Sequence, residues 1–252
     1  MSEAQDAVVA ARRWLRNAAH VVVFTGAGVS AESGIPTFRD ALTGLWARFD
    51  PETLATEAGF RADPALVWRW YAERRAAVLS AQPNAAHRAI AAFEACGARR
   101  VDVVTQNVDG LHRRAGSRRL LELHGDITRV KCLEGCGRPE SLDADYDWRA
   151  DPREPPACPR CGAPLRPDVV WFGEFLPEDV LAEAQAAAAR CDAMLVVGTS
   201  ALVYPAAELP LLARRGGARL VVVDPNGTAV DDLADACIRA PAAEALPPLL
   251  AE

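Results

Sequence analysis

The sequence is short of lysine, of long apolar runs and of positive charge, and the last two shortages each exclude something. Of 28 basic residues only Lys131 is a lysine, and the acidic residues number 34, so the formal charge is −6. With no surplus of cations to neutralise phosphates, neither nucleic acid nor an anionic membrane is expected as a partner. The uncharged stretch Ala193–Ala207 is shorter than the roughly 20 apolar residues a bilayer requires, and Gly198 and Pro205 interrupt it. The opening MSEAQDAVVAARRW has acids and an amphipathic pattern where a targeting leader would have basic residues and an apolar core. The chain is therefore expected in the cytoplasm. No internal repeat is seen, and the preference for arginine over lysine reads as coding bias.

What is present is an ordinary globular composition, 50% apolar and 25% charged over 252 residues. That suits one large domain or a domain with a smaller module. Residues 3–17 read as an amphipathic helix. A short β-branched run, His20 to Phe24, follows and ends at Gly26-Ala27-Gly28. Further buried strands are expected at 101–105, 193–197 and 219–224, separated by helical patterns at 85–96, 178–190 and 203–214. Strands alternating with helices imply an α/β fold with a parallel, doubly wound sheet. Residues 40–80, with a helical run at 64–79, and residues 126–166 break the alternation and read as an inserted smaller module.

Seven cysteines are an odd number, and four fall in two close pairs, Cys132-x3-Cys136 and Cys158-x2-Cys161, followed by Gly137 and Gly162. This is knuckle spacing for four thiolates around a tetrahedral Zn²⁺ at about 2.3 Å. Disulfides or idle cysteines are the weaker alternative in a reducing compartment. The polar, proline-rich segment between the pairs has little apolar surface to bury, so one structural zinc ion would supply its folding energy. Cys96, Cys191 and Cys237 lie in apolar segments and read as buried filler.

Gly26 and Gly28, directly after a strand, fit a turn where the backbone must approach a pyrophosphate. The G-x-G-x-x-G pattern is incomplete, since Ala31 holds its last position. A plain strand-to-helix turn therefore explains the glycines as well. Asp224, at the end of another strand, suits ribose hydroxyls. His124, between the apolar run 120–123 and Gly125, sits at a strand end beside a turn. The other three, His20, His87 and His112, read as structural.

The longer string GAGVSAESGIPTFR at 26–39, with TQNVDGLH at 105–112, LHG at 123–125, LRPDVVWFGE at 165–174 and GTSALVYPAAELP at 198–210, resembles the sirtuin family of NAD-dependent protein deacylases over nearly the whole chain. The resemblance implies a Rossmann-like NAD domain made of residues 1–39, 81–125 and 166–252. A helical insertion with the acyl pocket at 40–80 and a zinc module at 126–165 complete the expected layout. It implies an NAD-binding loop of Gly26, Ala27, Gly28, Ser30, Ile35, Pro36, Phe38 and Arg39. Gln106, Asn107 and Asp109 would hold the nicotinamide and its ribose, Gly198, Thr199 and Ser200 the phosphates and adenosine ribose, and Asp224, Asn226 and Ala242 the adenine side. Where the family usually has Asn, this sequence has Asp224.

The reaction so implied consumes NAD. The nicotinamide bond breaks, the acyl-lysine oxygen joins the ribose, and His124, as general base, activates a ribose hydroxyl to capture the acyl carbon. The products are free lysine, nicotinamide and 2′-O-acyl-ADP-ribose. Within the family, V-W-x-x-Y-x-x-R-R at 67–75 resembles the class III signature. Its Tyr71 and Arg74 imply a roomy pocket, with Ala41 keeping it wide, for succinyl, malonyl or glutaryl lysine as well as acetyl lysine. Val169, Trp171, Phe172 and Gly173 match the segment that pairs with an extended substrate peptide. Asp168 replaces the family's usual His. Acylated protein lysines are the expected partners and a monomer the expected state. Mono-ADP-ribosyl transfer and a non-catalytic NAD-sensing role are the alternatives.

Overall fold

The computed structural model describes residues 3–35, 50, 54–137 and 153–251. Six strands form an all-parallel sheet in the order β3-β2-β1-β6-β7-β8: β1 His20–Thr25, β2 Arg100–Thr105, β3 Leu120–Glu122, β6 Ala193–Val197, β7 Arg219–Val223 and β8 Ala236–Ile238. Two more, β4 Gly125–Cys132 and β5 Leu165–Val169, pair antiparallel in a separate ribbon. The helices are α1 Glu3–Asn17, α2 Glu57–Ala62, α3 Pro64–Ser80, α4 Ala85–Ala95, α5 Leu111–Ala115, α6 Glu178–Arg190, α7 Leu209–Arg215 and α8 Ala242–Leu250.

Central strands lack polar alternation because both of their faces are covered. Val21, Val23, Val103, Leu195, Val197, Val221 and Val223 pack with residues of α1, α4 and α8. The intervening Val22, Phe24, Val104, Met194, Val196 and Val222 pack with residues of α6 and α7. Asp102 is the one acid buried on these strands among the described residues, and His20, Arg100 and Arg119 each meet it at 2.7 Å. A third apolar cluster joins α2, α3, β4, β5 and the segment after β5 through Phe60, Trp70, Tyr71, Ile127, Val169 and Trp171. It is the core of the smaller module.

The expected strands agree with the observed ones within one residue at each end. The helix expected at 203–214 begins later: a 3-10 turn at Ala206–Glu208 precedes α7. Pro210 sits in the first turn of α7, where its missing N–H costs no hydrogen bond. Elements that escape a reading by period include α2, β4 and β5 within the inserted module, β8, only three residues long, and α8, which holds Pro247 and Pro248 yet buries Leu246, Leu249 and Leu250. No helix among the described residues is long and apolar enough to cross a membrane.

Candidate active site

Sheet order reverses at β1, with β2 and β3 on one side and β6 to β8 on the other, so the carboxyl ends of β1 and β6 open a crevice at the switch point. Both strands end in glycine turns there. Gly26 N–H donates to the Val197 carbonyl at 3.1 Å and Gly28 N–H to the Gly198 carbonyl at 2.8 Å. A Cβ on Gly26 would lie 2.7 Å from Thr199 Cβ, and one on Gly28 would lie 2.7 Å from Gly198 Cα. The sequence leaves two explanations for these glycines, room for a pyrophosphate and a tight turn; in the fold each also lets its backbone pack closely against the turn after β6. Ala27 to Ser33 form a 3-10 helix with Val29 and Ser30 buried. Ile35 packs on the smaller module's core. Pro36, Phe38, Arg39 and Ala41 lie outside the described residues.

The loop after β2 closes over this turn. Asn107 Nδ2 donates to the Gly26 carbonyl and to Ser30 Oγ, both at 3.1 Å, and Ser30 Oγ donates to Asp109 Oδ2 at 2.7 Å. Leu111 N–H donates to Asp109 Oδ1 at 2.9 Å. Burial pushes the Asp109 carboxyl above the usual range, against these two bonds. Gln106 Nε2 donates to Thr199 Oγ1 at 2.9 Å, tying the β2 loop to the β6 loop. Thr25 Oγ donates to Thr105 Oγ at 2.8 Å, so its oxygen accepts from His112 Nε2 at 2.9 Å. His87 stacks edge-on against His112 at 4.8 Å, with Nε2 3.4 Å from Ser30 Oγ. Burial takes His112 down to about 3 and His87 to about 4, so both rings are neutral at physiological pH. Thr25, Thr105, His87 and His112 thus stand directly behind the predicted site. The only trace in the sequence is a polar residue at the carboxyl end of two apolar strands.

His124 follows β3, and its Nδ1 lies 2.8 Å from the Gln106 carbonyl. A carbonyl can only accept, so Nδ1 carries the proton and Nε2 of the neutral ring is free to take one. Burial lowers the His124 pKa, opposed by the bond to Gln106. Gly125, at φ +82°, is required: a Cβ there would lie 2.1 Å from the Asp168 carbonyl oxygen, where β4 crosses β5. Val170 N–H donates to the His124 carbonyl at 2.9 Å.

The expected adenosine residues spread along the same carboxyl edge. The Ser200 carbonyl accepts from Ala229 N–H at 3.1 Å, and Asp224 Oδ1 accepts from Asn226 N–H at 2.8 Å. Burial raises the Asp224 pKa, and Asn226 is exposed. Ala242 opens α8, and the next N–H, of Ala243, donates to Glu32 of the 3-10 helix at 2.7 Å.

In the smaller module Tyr71 is buried, and its hydroxyl oxygen accepts from Trp171 Nε1 at 2.9 Å. Arg74 lies over the Trp70 ring at 5.0 Å, and no carboxylate pairs with it among the described residues. Asp168 turns to Arg129, Oδ2 to Nε 3.4 Å. Val169 is buried in β5, and the N–H groups of Val170, Trp171 and Phe172 are all engaged within the chain. Phe172 and Gly173 are exposed beyond them. Arg166, paired with Glu174, donates to the Val169 carbonyl at 2.7 Å and lies 3.2 Å over the Trp171 ring. Sequence reasoning missed this pair; a buried arginine needs an acid nearby, and Glu174 was the available one.

The ligand sulfurs of Cys132, Cys136, Cys158 and Cys161 all lie within 4.8 Å of one another, with Cys132 and Cys161 3.5 Å apart. Four sulfurs at the Zn–S distance stand about 3.8 Å apart, so the cluster fits tetrahedral zinc. Gly137 and Gly162 take positive φ at the two knuckles. Backbone N–H groups of Cys136 and Glu134 lower the Cys132 thiol pKa despite burial, while the neighbouring sulfurs raise Cys136 and Cys161, so the first thiolate of the cluster forms at Cys132.

The Sir2 family model matches residues 26–205, which contain the crevice and the cysteine cluster. The chain belongs to the Sir2 family. It is 56% identical to the NAD-dependent protein deacylase of Ralstonia nicotianae, over 96% of this chain and 95% of that protein. A crystal structure of a Sir2 homolog–NAD complex superposes with a TM-score of 0.87 at 44% identity, covering 95% of this chain and 91% of that one. A Sir2 bound to acetylated peptide superposes at 0.81 and 34% identity, covering 94% of each. The six-stranded parallel sheet with a cysteine module is the Rossmann-like Sir2 fold that the sequence implies.

Proposed function

We propose that the protein is an NAD-dependent protein-lysine deacylase that takes acyl chains ending in a carboxylate, succinyl, malonyl or glutaryl, in preference to acetyl. The observation carrying the first half is His124, fixed through Nδ1 to the Gln106 carbonyl with Nε2 left as a base beside the crevice. The glycine turns of β1 and β6 form a backbone cradle suited to a dinucleotide, and Gly198, Thr199, Ser200, Asp224, Asn226 and Ala242 extend it toward the adenosine end. Bound NAD supplies a glycosidic bond whose cleavage releases nicotinamide and opens the sugar carbon to the acyl-lysine oxygen. Asn107, held by the Gly26 carbonyl and Ser30, and Asp109, held by Ser30 and Leu111, orient the nicotinamide end. His124 Nε2 takes the ribose hydroxyl proton. The cysteine cluster, with all four ligands from the protein, holds the module and leaves no position for substrate.

The acidic-acyl half rests on Arg74 beside Tyr71 at the smaller module's core, a guanidinium with no carboxylate of the chain to pair with among the described residues. A terminal carboxylate on the acyl chain would be that partner. Asp168, turned to Arg129, is not a competing charge for it. A peptide strand would add at exposed Gly173, since the N–H groups of Val170, Trp171 and Phe172 are taken. The test is mass-spectrometric turnover of one peptide bearing acetyl, malonyl, succinyl or glutaryl lysine, with and without NAD. Acidic acyl peptides should exceed acetyl, and Arg74→Met should cut that preference by about 10- to 100-fold, the worth of a hydrogen bond to a charged group. An unchanged ratio discards the preference. NAD cleavage without any acyl peptide would favour ADP-ribosyl transfer instead.

A further inference from the structure

Tyr71 and Trp171 are buried, at 4% and 2% exposure, and their one mutual bond has a fixed direction. An indole N–H has no acceptor capacity, so at 2.9 Å Trp171 Nε1 donates and the Tyr71 oxygen accepts. That bond occupies the phenol as an acceptor on the protein side. The single phenol proton has no acceptor among the described residues.

The indole is itself held in place. Phe60 packs 5.3 Å from its ring, and the Arg166 guanidinium lies 3.2 Å over its face. Arg166 is anchored by Glu174 and by the Val169 carbonyl, and Glu174 Oε2 also accepts the Trp171 backbone N–H at 2.9 Å. A cation over the face of an indole draws density from the ring and makes its N–H a stronger donor. The chain from Glu174 to Arg166 to Trp171 ends on the Tyr71 oxygen.

From this we infer that Trp171 is a positioning residue for acyl selectivity: by occupying the Tyr71 oxygen as a donor, it forces Tyr71 to present its proton to the acyl pocket, where Arg74 waits for the same group. With both groups offering donors, the pocket suits an acceptor-only carboxylate and is indifferent to a methyl. Without the indole N–H, the hydroxyl is free to rotate and to meet a ligand as either donor or acceptor. The inference rests on the acidic-acyl reading above and adds to it a residue that does not itself touch the carboxylate.

Trp171→Phe keeps an aromatic ring in the site and deletes the N–H together with part of the indole's bulk, and the Tyr71→Phe and double variants separate the lost bond from the lost packing. The measurement is kcat/KM for succinyl-lysine and acetyl-lysine versions of one peptide, in wild type, Trp171→Phe, Tyr71→Phe, the double variant and Arg74→Met. The succinyl-to-acetyl ratio should fall about tenfold in Trp171→Phe, mostly through the succinyl KM. It should fall similarly in Tyr71→Phe, and no further in the double variant, because one bond cannot be lost twice. If Arg74→Met collapses the ratio while Trp171→Phe leaves it unchanged, or lowers both substrates equally, the inference is overturned and the acidic-acyl reading stands. A wild-type enzyme with no succinyl preference overturns both.

Discussion

His124 is one residue whose chemistry is set by a single bond. The Gln106 carbonyl pins Nδ1–H, burial keeps the ring neutral, and the two together make Nε2 a base at neutral pH. His124→Ala should therefore lower deacylation by about 10²- to 10⁴-fold, the usual contribution of a positioned general base. NAD affinity should stay within a few-fold, because the cradle is built from other residues. Product 2′-O-acyl-ADP-ribose by mass spectrometry and NAD binding by calorimetry separate the two effects. Retained turnover would remove His124 from the reaction. Asp168 is the reverse case: the sequence leaves open which way it faces, and pairing of β4 with β5 sets it beside Arg129.

At the scale of elements, the site depends on how closely two strand ends approach. Gly28 and Gly198 let the turns after β1 and β6 meet backbone to backbone, and a methyl at Gly28 would have to displace main chain, which cannot yield as a flexible side chain can. Gly28→Ala should cost about 1–3 kcal/mol of stability by overpacking and weaken NAD binding with it. Gly34→Ala is the control. Gly34, unlike Gly28, has positive φ, at +80°, and no described residue lies within 4 Å of a Cβ there, so the expected cost is the backbone one of about 1–2 kcal/mol, without the close approach of the two turns being disturbed. Urea midpoints and NAD dissociation constants for both variants check this; equal effects on NAD binding would show that the close approach is unimportant to the site. Other elements were hidden in sequence for a related reason. The two prolines of α8 argue against a helix, yet packing of its leucines on the sheet outweighs them.

For the whole molecule, the buried polar layer behind the site couples folding to pH. His87 and His112 have folded pKa values of about 4 and about 3, below the free value of 6.5. Below pH 6.5 the unfolded chain binds protons that the folded chain refuses. Stability should thus fall as pH drops from 6.5 toward 4, with a slope of up to about 1.4 kcal/mol per pH unit from each ring. Urea denaturation at pH 7.5, 5.5 and 4.5 measures it. The carboxyls of Asp102, Glu174 and Asp235, held low by arginine partners and, for Asp235, by the Leu220 N–H, add a loss in the same direction only below about pH 5, where the unfolded chain's acids begin to protonate, so the interval from pH 6.5 to about 5 isolates the two rings. A flat profile between pH 6.5 and 4.5 would show the rings to be hydrated.

Apolar runs and their spacing determined the parallel sheet and most of its helices, because burial on both faces leaves a mark on every central strand. Cysteine spacing likewise determined the zinc cluster, since two tight knuckles can be read locally. Tertiary structure alone decided why Gly26 and Gly28 are glycines, which way Asp168 faces, and that Trp171 bonds Tyr71 across 100 positions of chain. Those facts depend on which segments meet, and a contact between distant segments exists only after the sheet order has brought them together.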